Sequence, residues 1–467
     1  MELFVLPSKS RLRVKSFHNN MIFYLAMLSI LIILSGPIFP KYVSYFAIFL
    51  AIVFSFFDKV FIFVLLGSSN FLPIIGTISP MNLFVMVLFI NTLVRPLKLY
   101  LKNNILLSLF TIVIWVAISS IVQGFDITFL ITLIKGFMTM FLVYEYSINR
   151  KTEVRNVSGP FFIGVYAGVL VSLLSLGKVF GYYSTNPYRL TLLRGDSNSL
   201  GLSLNFVITY CSTNILMSFK KNKSAKMLFY LVLVIPTVFV LFLTGSRGSL
   251  LSAAMGVIMG LFYTSQLKPY DSTVHRKRSF TKFIILLVLV SVGVILVLNI
   301  DSFLFLSEEM FAFVKNRLFT FEDPLRTDLY SKALLNVLSA PLFGGGLSRY
   351  LLNTQGMLSH NSYLDYAISG GLVSLCLLLA VLFSIFVKSL NKVYWKKNAS
   401  FLPTLVAFFA VAINQFTYSA VGDKLFWIPL SLILLNFDSY KGMLTVQDDL
   451  SHVDTIKATT SFQPVVF

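Results

Sequence analysis

The sequence predicts an all-α protein, a polytopic transmembrane helical bundle of about 12–14 spans. Hydrophobic residues make up 57% of its 467 residues and charged residues only 12%, whereas about a quarter of a soluble protein is charged. Apolar runs of roughly 17–25 residues recur from Met21 to Phe437, which is the length that a helix needs to cross a hydrocarbon core. These runs are continuous and do not alternate with polar residues, which excludes membrane-spanning strands.

The apolar runs place about fourteen spans along the chain. They lie at about 21–39, 41–57, 60–77, 81–96, 104–122, 127–147, 158–180, 198–218, 227–244, 248–265, 283–300, 362–388, 401–418 and 424–437. Pro and Gly interrupt the first four, which leaves about twelve as the lower count. The spans predict a single transmembrane domain over residues 1–440, followed by a polar tail at 441–467.

Lysine and arginine lie mainly on one side of the predicted bundle. With the N-terminus inside and the spans alternating, about 26 of the 38 fall inside, about 10 outside, and 2 (Lys135, Lys178) within or at the edge of spans. This asymmetry predicts that both termini are cytoplasmic. It also accounts for the net charge of +19, so no nucleic-acid partner is expected. Cys211 and Cys376 fall inside apolar runs, which argues against a disulfide framework or a thiolate metal site.

Two predicted outer loops are longer than a simple connection requires. They cover about 181–197 and about 301–361. In the larger loop, Ser307 followed by two glutamates predicts a capped amphipathic helix. A second helix is predicted from Leu325 to Leu338, after which the glycines at 344–346 break the backbone. Long loops of this kind are usually lids or binding elements.

The predicted outer segments prefer arginine to lysine. They contain six arginines, Arg189, Arg194, Arg247, Arg317, Arg326 and Arg349, and four lysines, Lys41, Lys315, Lys332 and Lys424. On the inner side lysine outnumbers arginine. Because a guanidinium group pairs bidentately with phosphate oxygens, the outer preference favours a phosphate-binding site. The alternative is that these arginines reach lipid headgroups or form salt bridges with acidic loop residues.

His360 is the only histidine on the predicted outer side. The others, His18, His275 and His452, lie in inner polar segments. One histidine cannot form a histidine-rich metal site, which leaves hydrogen bonding or proton transfer. An imidazole beside phosphate-binding arginines is a candidate base for a hydroxyl nucleophile, and the alternative is an ordinary histidine at a helix start.

Several segments resemble a known family. His360-Asn361-Ser362-Tyr363-Leu364 with Gly371 closely resembles the HN-x-x-L-x6-G signature of the O-antigen ligase/polymerase superfamily. Three further segments resemble family motifs in the same order: Arg194-Gly195-Asp196-Ser197-Asn198, Thr244-Gly245-Ser246-Arg247-Gly248, and Arg326 with Tyr330, Pro341 and Gly344-Gly345-Gly346. Tyr330 departs from the tryptophan that is frequent in the family. The resemblance covers about 185–375.

The resemblance implies a GT-C-like glycosyltransferase that needs neither a metal nor another cofactor. Such an enzyme acts at the outer face of the bacterial inner (plasma) membrane, with undecaprenyl-pyrophosphate-linked glycans as donor and acceptor. His360, Arg247 and Arg326 would be catalytic, with Arg189, Arg194, Arg247 and Arg326 holding the pyrophosphate and Asn361, Tyr330, Asp365 and Asn198 in support. Asp365 either orients the imidazole or occupies a solvated polar position. The implied partners are the lipid bilayer and a chain-length regulator protein.

The residues leave more than one function open. A polymerase joins one lipid-linked glycan to another, whereas a ligase transfers it to lipid A-core or protein, and the motifs do not separate the two. The larger span count favours a polymerase. A lipid-glycan flippase is the rival from another class, but it should place charges within several spans and often has two related halves. The sequence has Lys135 as its main mid-span charge and no internal repeat.

Overall fold

The computed structural model describes residues 23–24, 27–28, 30–31, 41–58, 60–69, 71–72, 79–93, 104–148, 157–176, 197–267, 316, 324–396 and 401–437. Within these ranges the regular structure is α-helical throughout. The predicted span at 283–300 and the predicted helix from Ser307 lie outside the described residues, as does most of the predicted span at 21–39.

The described residues form fourteen helices. They are α1 (Lys41–Phe57), α2 (Phe61–Ser68), α3 (Pro80–Leu93), α4 (Asn104–Val122), α5 (Thr128–Ile148), α6 (Ser158–Leu176), α7 (Ser197–Lys220), α8 (Ser224–Leu243), α9 (Arg247–Ser265), α10 (Pro324–Ser339), α11 (Leu347–Asn353), α12 (Ser362–Lys396), α13 (Leu402–Asn414) and α14 (Lys424–Phe437). Helices α4, α5, α7, α8 and α9 match their predicted spans to within one helical turn.

Six of these helices, α4, α5, α7, α8, α9 and α12, are long and apolar enough to cross a membrane. Helix α12, for example, contains a window with a mean hydropathy of 2.6. Since a helix rises about 1.5 Å per residue, 19 residues suffice for the hydrocarbon core. The prediction of a polytopic helical membrane protein is confirmed.

Helix α7 forms the centre of the bundle and packs against α8, α9 and α13. Small residues permit the close approach: a Cβ added to Gly256 of α9 would lie 2.3 Å from the Thr209 Cγ2 atom of α7 and 2.7 Å from the Ala410 Cβ atom of α13. Close contact between small residues is a main source of helix association in lipid, where the hydrophobic effect between helices is weak.

Buried or half-buried polar side chains join the same three helices, and we call this group the polar seam. It consists of Asn198 and Asn205 on α7, Ser246, Ser249 and Ser252 at the start of and along α9, and Asn414 on α13. The Asn205 Nδ2 atom donates to Ser252 Oγ at 2.9 Å and to the Ala410 carbonyl at 3.0 Å. In a membrane interior such bonds hold helices together, because the unpaired amide would otherwise face hydrocarbon.

Helix α12 is broken at Gly371, whereas the sequence predicted one continuous span at 362–388. Gly371 has a φ of 69° and a ψ of −173°, which is outside the helical region. A Cβ there would lie 2.0 Å from the Leu342 carbonyl oxygen, so only glycine fits both the conformation and the space. The Leu372 N–H instead donates to the Pro341 carbonyl at 2.8 Å. The break therefore exists to receive the 340–346 turn.

Three side chains, which we call the clasp, hold this turn and the break of α12 against α4 and α5. Trp115 Nε1 donates to the Gly370 carbonyl at 2.8 Å, and its ring stacks on Phe343 with centroids 5.3 Å apart. Gln123 Nε2 donates to the carbonyls of Gly344 at 3.1 Å and Ser369 at 3.0 Å. Asp126 accepts from the Ser348 N–H at 2.5 Å and from the Ser348 hydroxyl at 2.7 Å.

Helix α10 confirms the helix predicted at Leu325–Leu338, and the short helix α11 was not predicted. The Tyr350 hydroxyl of α11 donates to the Leu329 carbonyl of α10 at 3.1 Å. Burial, with nearby carboxylates, raises the pKa of Tyr350 above its ordinary value, so the phenol remains a donor. Gly344 and Gly346 both have positive φ, at 78° and 90°, as the predicted backbone break requires.

The turns that the sequence placed outside meet at one end of the bundle, which we call the site end. The α4–α5 turn bonds to the start of α11 through Asp126, and the start of α12 bonds to the residues after α13. Lys424, at the start of α14, is buried and donates to the Gly67 carbonyl at 3.1 Å and to Ser69 Oγ at 2.5 Å. These connecting segments therefore contact one another at the site end.

Candidate functional site

A polar cavity opens at the site end between α7, α9, α10 and the end of α13. The empty space among the lining residues, counted together with the solvent that it opens to, is about 290 Å³. The lining residues are Asn198, Gly245, Ser246, Arg247, Gly248, Arg326, Asn414, Thr417 and Tyr418. Two guanidinium groups and neutral polar groups line it, and the described lining includes no carboxylate. This composition favours an anionic ligand.

Hydrogen bonds along the polar seam run in one direction beneath the cavity. Asn414 Nδ2 donates to Ser249 Oγ at 2.9 Å, and Ser249 Oγ lies 2.9 Å from Ser246 Oγ. Ser246 Oγ in turn donates to Asn198 Oδ1 at 3.3 Å. Because each hydroxyl has one proton, the Ser249 proton is directed to Ser246. The sequence of bonds fixes the orientation of both asparagine amides at the cavity wall.

Arg247 is positioned by the tight turn between α8 and α9. Gly245 has a φ of 60°, a conformation that ends α8 and reverses the chain. The Ser246 N–H donates to Thr244 Oγ1 at 3.2 Å, which keeps the turn closed. Arg247 is then the first residue of α9, so its side chain and the N–H groups of the first turn are at the same helix end. The positive end of the helix dipole adds to the guanidinium charge there.

Arg326 reaches the same cavity from α10, 79 residues further along the chain. It lies in the first turn of α10, whose buried face contains Leu329, Ala333 and Val337. This face packs against α12. The Gly345 N–H donates to Asn336 Oδ1 at 3.2 Å, which attaches the end of α10 to the turn that follows it. The position of Arg326 therefore depends on the clasp as well as on α10 itself.

His360 lies in a structured segment just before α12. It is partly buried, with a φ of 55°, a conformation that is uncommon for a residue with a side chain. Asn361 caps the helix, since its Oδ1 accepts from the N–H groups of Tyr363 at 3.0 Å and Leu364 at 3.2 Å. The Asn361 N–H donates to Ser359 Oγ at 3.1 Å. The residues on both sides of His360 are therefore fixed.

The segment that carries His360 is bonded to the cavity wall. The Ser362 N–H donates to the Gln415 carbonyl at 2.9 Å, and Ser362 Oγ donates to the Tyr418 carbonyl at 3.0 Å. The Tyr363 ring stacks on Phe416 with centroids 4.1 Å apart. His360 does not itself line the cavity, but it stands two residues from Ser362, whose bonding partner Tyr418 does.

Asp365 is buried, with 2% of its surface exposed, so the solvated position that the sequence left open is wrong. The Ser359 hydroxyl lies 2.7 Å from Asp365 Oδ1. The carboxylate therefore holds the residue that precedes His360. This contact constrains the backbone around the imidazole.

The structure brings together part of the predicted site. Arg247, Arg326 and Asn198 share the cavity, with His360, Asn361 and Asp365 in the adjoining segment. Tyr330 is partly buried on α10, one turn after Arg326, and is not a lining residue. Arg349 is exposed on α11, away from the lining. Arg189, Arg194 and Arg317 lie outside the described residues.

Three lining residues lie outside the motifs quoted from the sequence: Asn414, Thr417 and Tyr418. They end the apolar run at 401–418, on the side to which the sequence had assigned the arginines. A cluster of polar residues where a span ends on that side was the signal that could have identified them. Helix α13 ends at Asn414 and not at 418, which turns this cluster toward the cavity.

In the part of the chain that the structure describes, no three His, Cys, Asp or Glu side chains lie close enough together to share a metal ion. The cavity can instead hold an anion through two guanidinium groups, backbone N–H groups at the start of α9, and the amides of Asn198 and Asn414. A group that accumulates negative charge would be stabilised there.

Comparison with protein families identifies one match. Residues 229–379 match the family model described as O-antigen ligase. The matched range includes Arg247, Arg326 and His360, whereas Asn198 and Asn414 lie outside it. No curated protein sequence matches the chain significantly. Over residues 229–379, about a third of the chain, the protein is therefore similar to the O-antigen ligase family.

Proposed function

We propose that this protein is a polysaccharide polymerase, a glycosyltransferase that joins undecaprenyl-pyrophosphate-linked glycan repeats at the outer face of the bacterial inner membrane. The observation that carries the proposal is the meeting of Arg247 and Arg326 in one cavity, inside the region that matches the family. Among the residues that the structure describes, no carboxylate lines this cavity. Two arginines brought together from distant segments suit a diphosphate better than a single lipid headgroup.

The reaction transfers a glycan from a diphosphate to a sugar hydroxyl. The bond between the anomeric carbon and the phosphate oxygen breaks, and a bond from the acceptor oxygen to that carbon forms. Negative charge grows on the departing diphosphate, where Arg247 and Arg326 stabilise it. Since a diphosphate is already a good leaving group, we infer that these cations serve without a metal ion.

His360 acts on the acceptor hydroxyl in this reaction. Its imidazole accepts the proton of the attacking hydroxyl or orients that hydroxyl by a hydrogen bond. The fixed residues on each side, Ser359 and Asn361, keep the imidazole in place during the approach of the acceptor. Arg189 and Arg194 are proposed to add to the grip on the diphosphate, as the family resemblance implies. A chain-length regulator is the proposed protein partner.

The second candidate is a ligase, because the matching family model is described as O-antigen ligase. The two activities share the donor and differ in the acceptor. Purified protein in nanodiscs, supplied with the lipid-linked repeat unit alone, should produce a ladder of longer lipid-linked glycans if it is a polymerase. Transfer that requires added lipid A-core would identify a ligase. No transfer to either acceptor would overturn both.

Variants separate the roles of the residues. Arg247→Ala should lower the transfer rate by about 100-fold or more, the usual loss of a group that stabilises developing charge. Arg247→Lys should recover little of it, because lysine cannot pair bidentately. The matched control is Arg349→Ala, an exposed arginine away from the cavity, which should transfer at the wild-type rate. Full activity of Arg247→Ala would exclude the diphosphate role.

His360→Asn tests the proposed base. Asparagine tolerates the left-handed backbone and keeps hydrogen bonding, but it does not take up the proton. We expect a large loss of the transfer rate with unchanged donor binding. A chelator should leave the rate of the wild-type protein unchanged, and restoration by a divalent ion would contradict metal independence.

A further inference from the structure

Four leucines at the end of α10 and in the turn that follows are exposed, and we call them the leucine patch. They are Leu334, Leu335, Leu338 and Leu342. Leu335 is 67% exposed and Leu338 63%. Full burial of one such side chain is favourable by about 1.5–3 kcal/mol. A cluster of four is therefore unlike the scattered apolar residues of an ordinary aqueous surface.

The patch occupies only the C-terminal half of the exposed face of α10. The buried face carries Leu329, Ala333 and Val337. In the N-terminal half, the exposed face carries Thr327, Asp328 and Ser331, with Leu325 as one exposed leucine. Helix α10 is thus mainly polar near the cavity and has its cluster of leucines at the far end, which is the pattern of a helix that enters an apolar layer by one end.

The contacts of the turn give its depth. Phe343 stacks on Trp115, which lies seven residues before the end of α4. The Gly344 carbonyl accepts from Gln123, the residue just after α4, so at about 1.5 Å per residue the turn lies beside roughly the last 10 Å of that helix. Helix α4 has 19 residues, about the length of the hydrocarbon core itself. The turn therefore lies beside the outer part of the apolar layer.

The backbone N–H and carbonyl groups of the irregular turn form hydrogen bonds within the protein, as an apolar surrounding requires. The Gly344 N–H donates to the Ala340 carbonyl at 2.7 Å, and the Gly346 N–H donates to the Ile368 carbonyl at 3.0 Å. The Pro341 carbonyl accepts from Leu372, and the carbonyls of the turn accept from Gln123. Non-helical backbone inside a membrane is tolerated only where protein groups satisfy it in this way.

The patch is also continuous with the lipid-facing surface of the spanning helices. Leu342 follows Pro341, the residue bonded to Leu372 N–H, and Leu372 is itself exposed on α12. On α4, which carries Trp115, the exposed side chains include Ile118 and Ile121. These belong to helices long enough to cross the membrane, so lipid is what covers them.

We propose that the C-terminal half of α10 and the 340–346 turn form a re-entrant element whose leucine patch is immersed in the acyl chains of the adjacent leaflet. The long connection before α12 is then not wholly aqueous. Lipid contact at one end of α10, with the clasp, sets the height at which Arg326 enters the cavity.

Site-directed fluorescence in a bilayer tests this. The full chain, with Cys211→Ala and Cys376→Ser, receives one bimane label at Leu338→Cys, or at Asp328→Cys on the polar half of the same helix as the matched control. Each is placed in phosphatidylcholine/phosphatidylglycerol nanodiscs. Quenching is measured with acyl-chain spin-labelled lipid and, separately, with aqueous iodide. Leu334→Cys provides a second position should the first label prevent folding, as judged by size-exclusion chromatography.

The label at position 338 should be quenched several-fold more by the spin-labelled lipid than the label at 328, and several-fold less by iodide. Strong iodide quenching at 338 would mean that water, or a partner protein lost on purification, covers the patch, and would overturn the proposal. Protection from both quenchers would mean that another segment or a second copy covers it, which also overturns the proposal.

Discussion

Arg247 and Arg326 enter one cavity from two regions that are built differently. Arg247 begins a spanning helix, and the polar seam below it joins three regular helices through side-chain bonds and close small-residue contacts. Arg326 begins a helix outside the set of spanning helices, and the clasp holds the following turn through bonds from side chains to irregular backbone. In the first region the packing of regular helices fixes the position of the arginine. In the second region, side-chain bonds to irregular backbone fix it.

This difference predicts that substitutions in the two regions affect stability and activity differently. A change in the polar seam acts on the packing of the bundle, so it should lower stability and activity together. A change in the clasp releases a turn from an otherwise intact bundle, so it should lower activity more than stability. Single substitutions in each region can separate these outcomes.

The largest effect is expected at the break of α12. Gly371→Ala would place a Cβ 2.0 Å from the Leu342 carbonyl oxygen, so the turn must leave α12. Transfer activity should be almost lost, as measured with purified protein. Gly356→Ala is the matched control, because Gly356 also has a positive φ of 84° but no atom within 4 Å of the added Cβ. It carries only the conformational cost of about 1–2 kcal/mol. Equal losses in the two variants would argue against the docking role of Gly371.

An intermediate effect is expected in the clasp. Asp126→Ala removes both bonds to Ser348, and bonds to a charged group are each worth about 1.5–3 kcal/mol. The transfer rate should fall about tenfold or more, with a small change in Tm. Asp328→Ala, which removes an exposed carboxylate paired with Lys332, should change neither because such pairs contribute about 0–1 kcal/mol. A large drop in Tm for Asp126→Ala would show that the clasp holds the bundle itself.

The smallest effect on activity is expected in the polar seam. Ser249→Ala leaves the Asn414 amide without its acceptor and removes a partner of Ser246. Bonds of this kind within a membrane contribute about 0.6–2 kcal/mol, so Tm in detergent should fall measurably while the transfer rate falls a few-fold. Ser331→Ala, exposed on α10, is the control. An unchanged Tm in Ser249→Ala would remove the distinction between the two regions.

Much of the fold followed from hydrophobic run length alone, as α4 and α9 illustrate, because spanning a bilayer constrains a helix strongly. The break at Gly371 did not follow, since the residues on both sides are apolar and the cause is a turn about 30 residues earlier in the chain. Within the site, Arg247 and Arg326 were identified from charge on the predicted outer side. Asn414 and Thr417 were missed because they are uncharged, whereas the site prediction started from the charged residues on the outer side.

The central claim is that Arg247 and Arg326 bind one diphosphate together. The most direct measurement is the affinity of a short-chain polyprenyl diphosphate for the wild-type chain, Arg247→Ala, Arg326→Ala, the double variant and Arg349→Ala in nanodiscs. Arg247→Ala and Arg326→Ala should each bind the diphosphate about tenfold or more weakly, because each loses a hydrogen bond to a charged group. The loss of binding free energy in the double variant should differ from the sum of the two single losses, as expected for groups that share a ligand. Arg349→Ala should bind with wild-type affinity. Wild-type affinity in either cavity variant, or strict additivity of the two, would contradict the account.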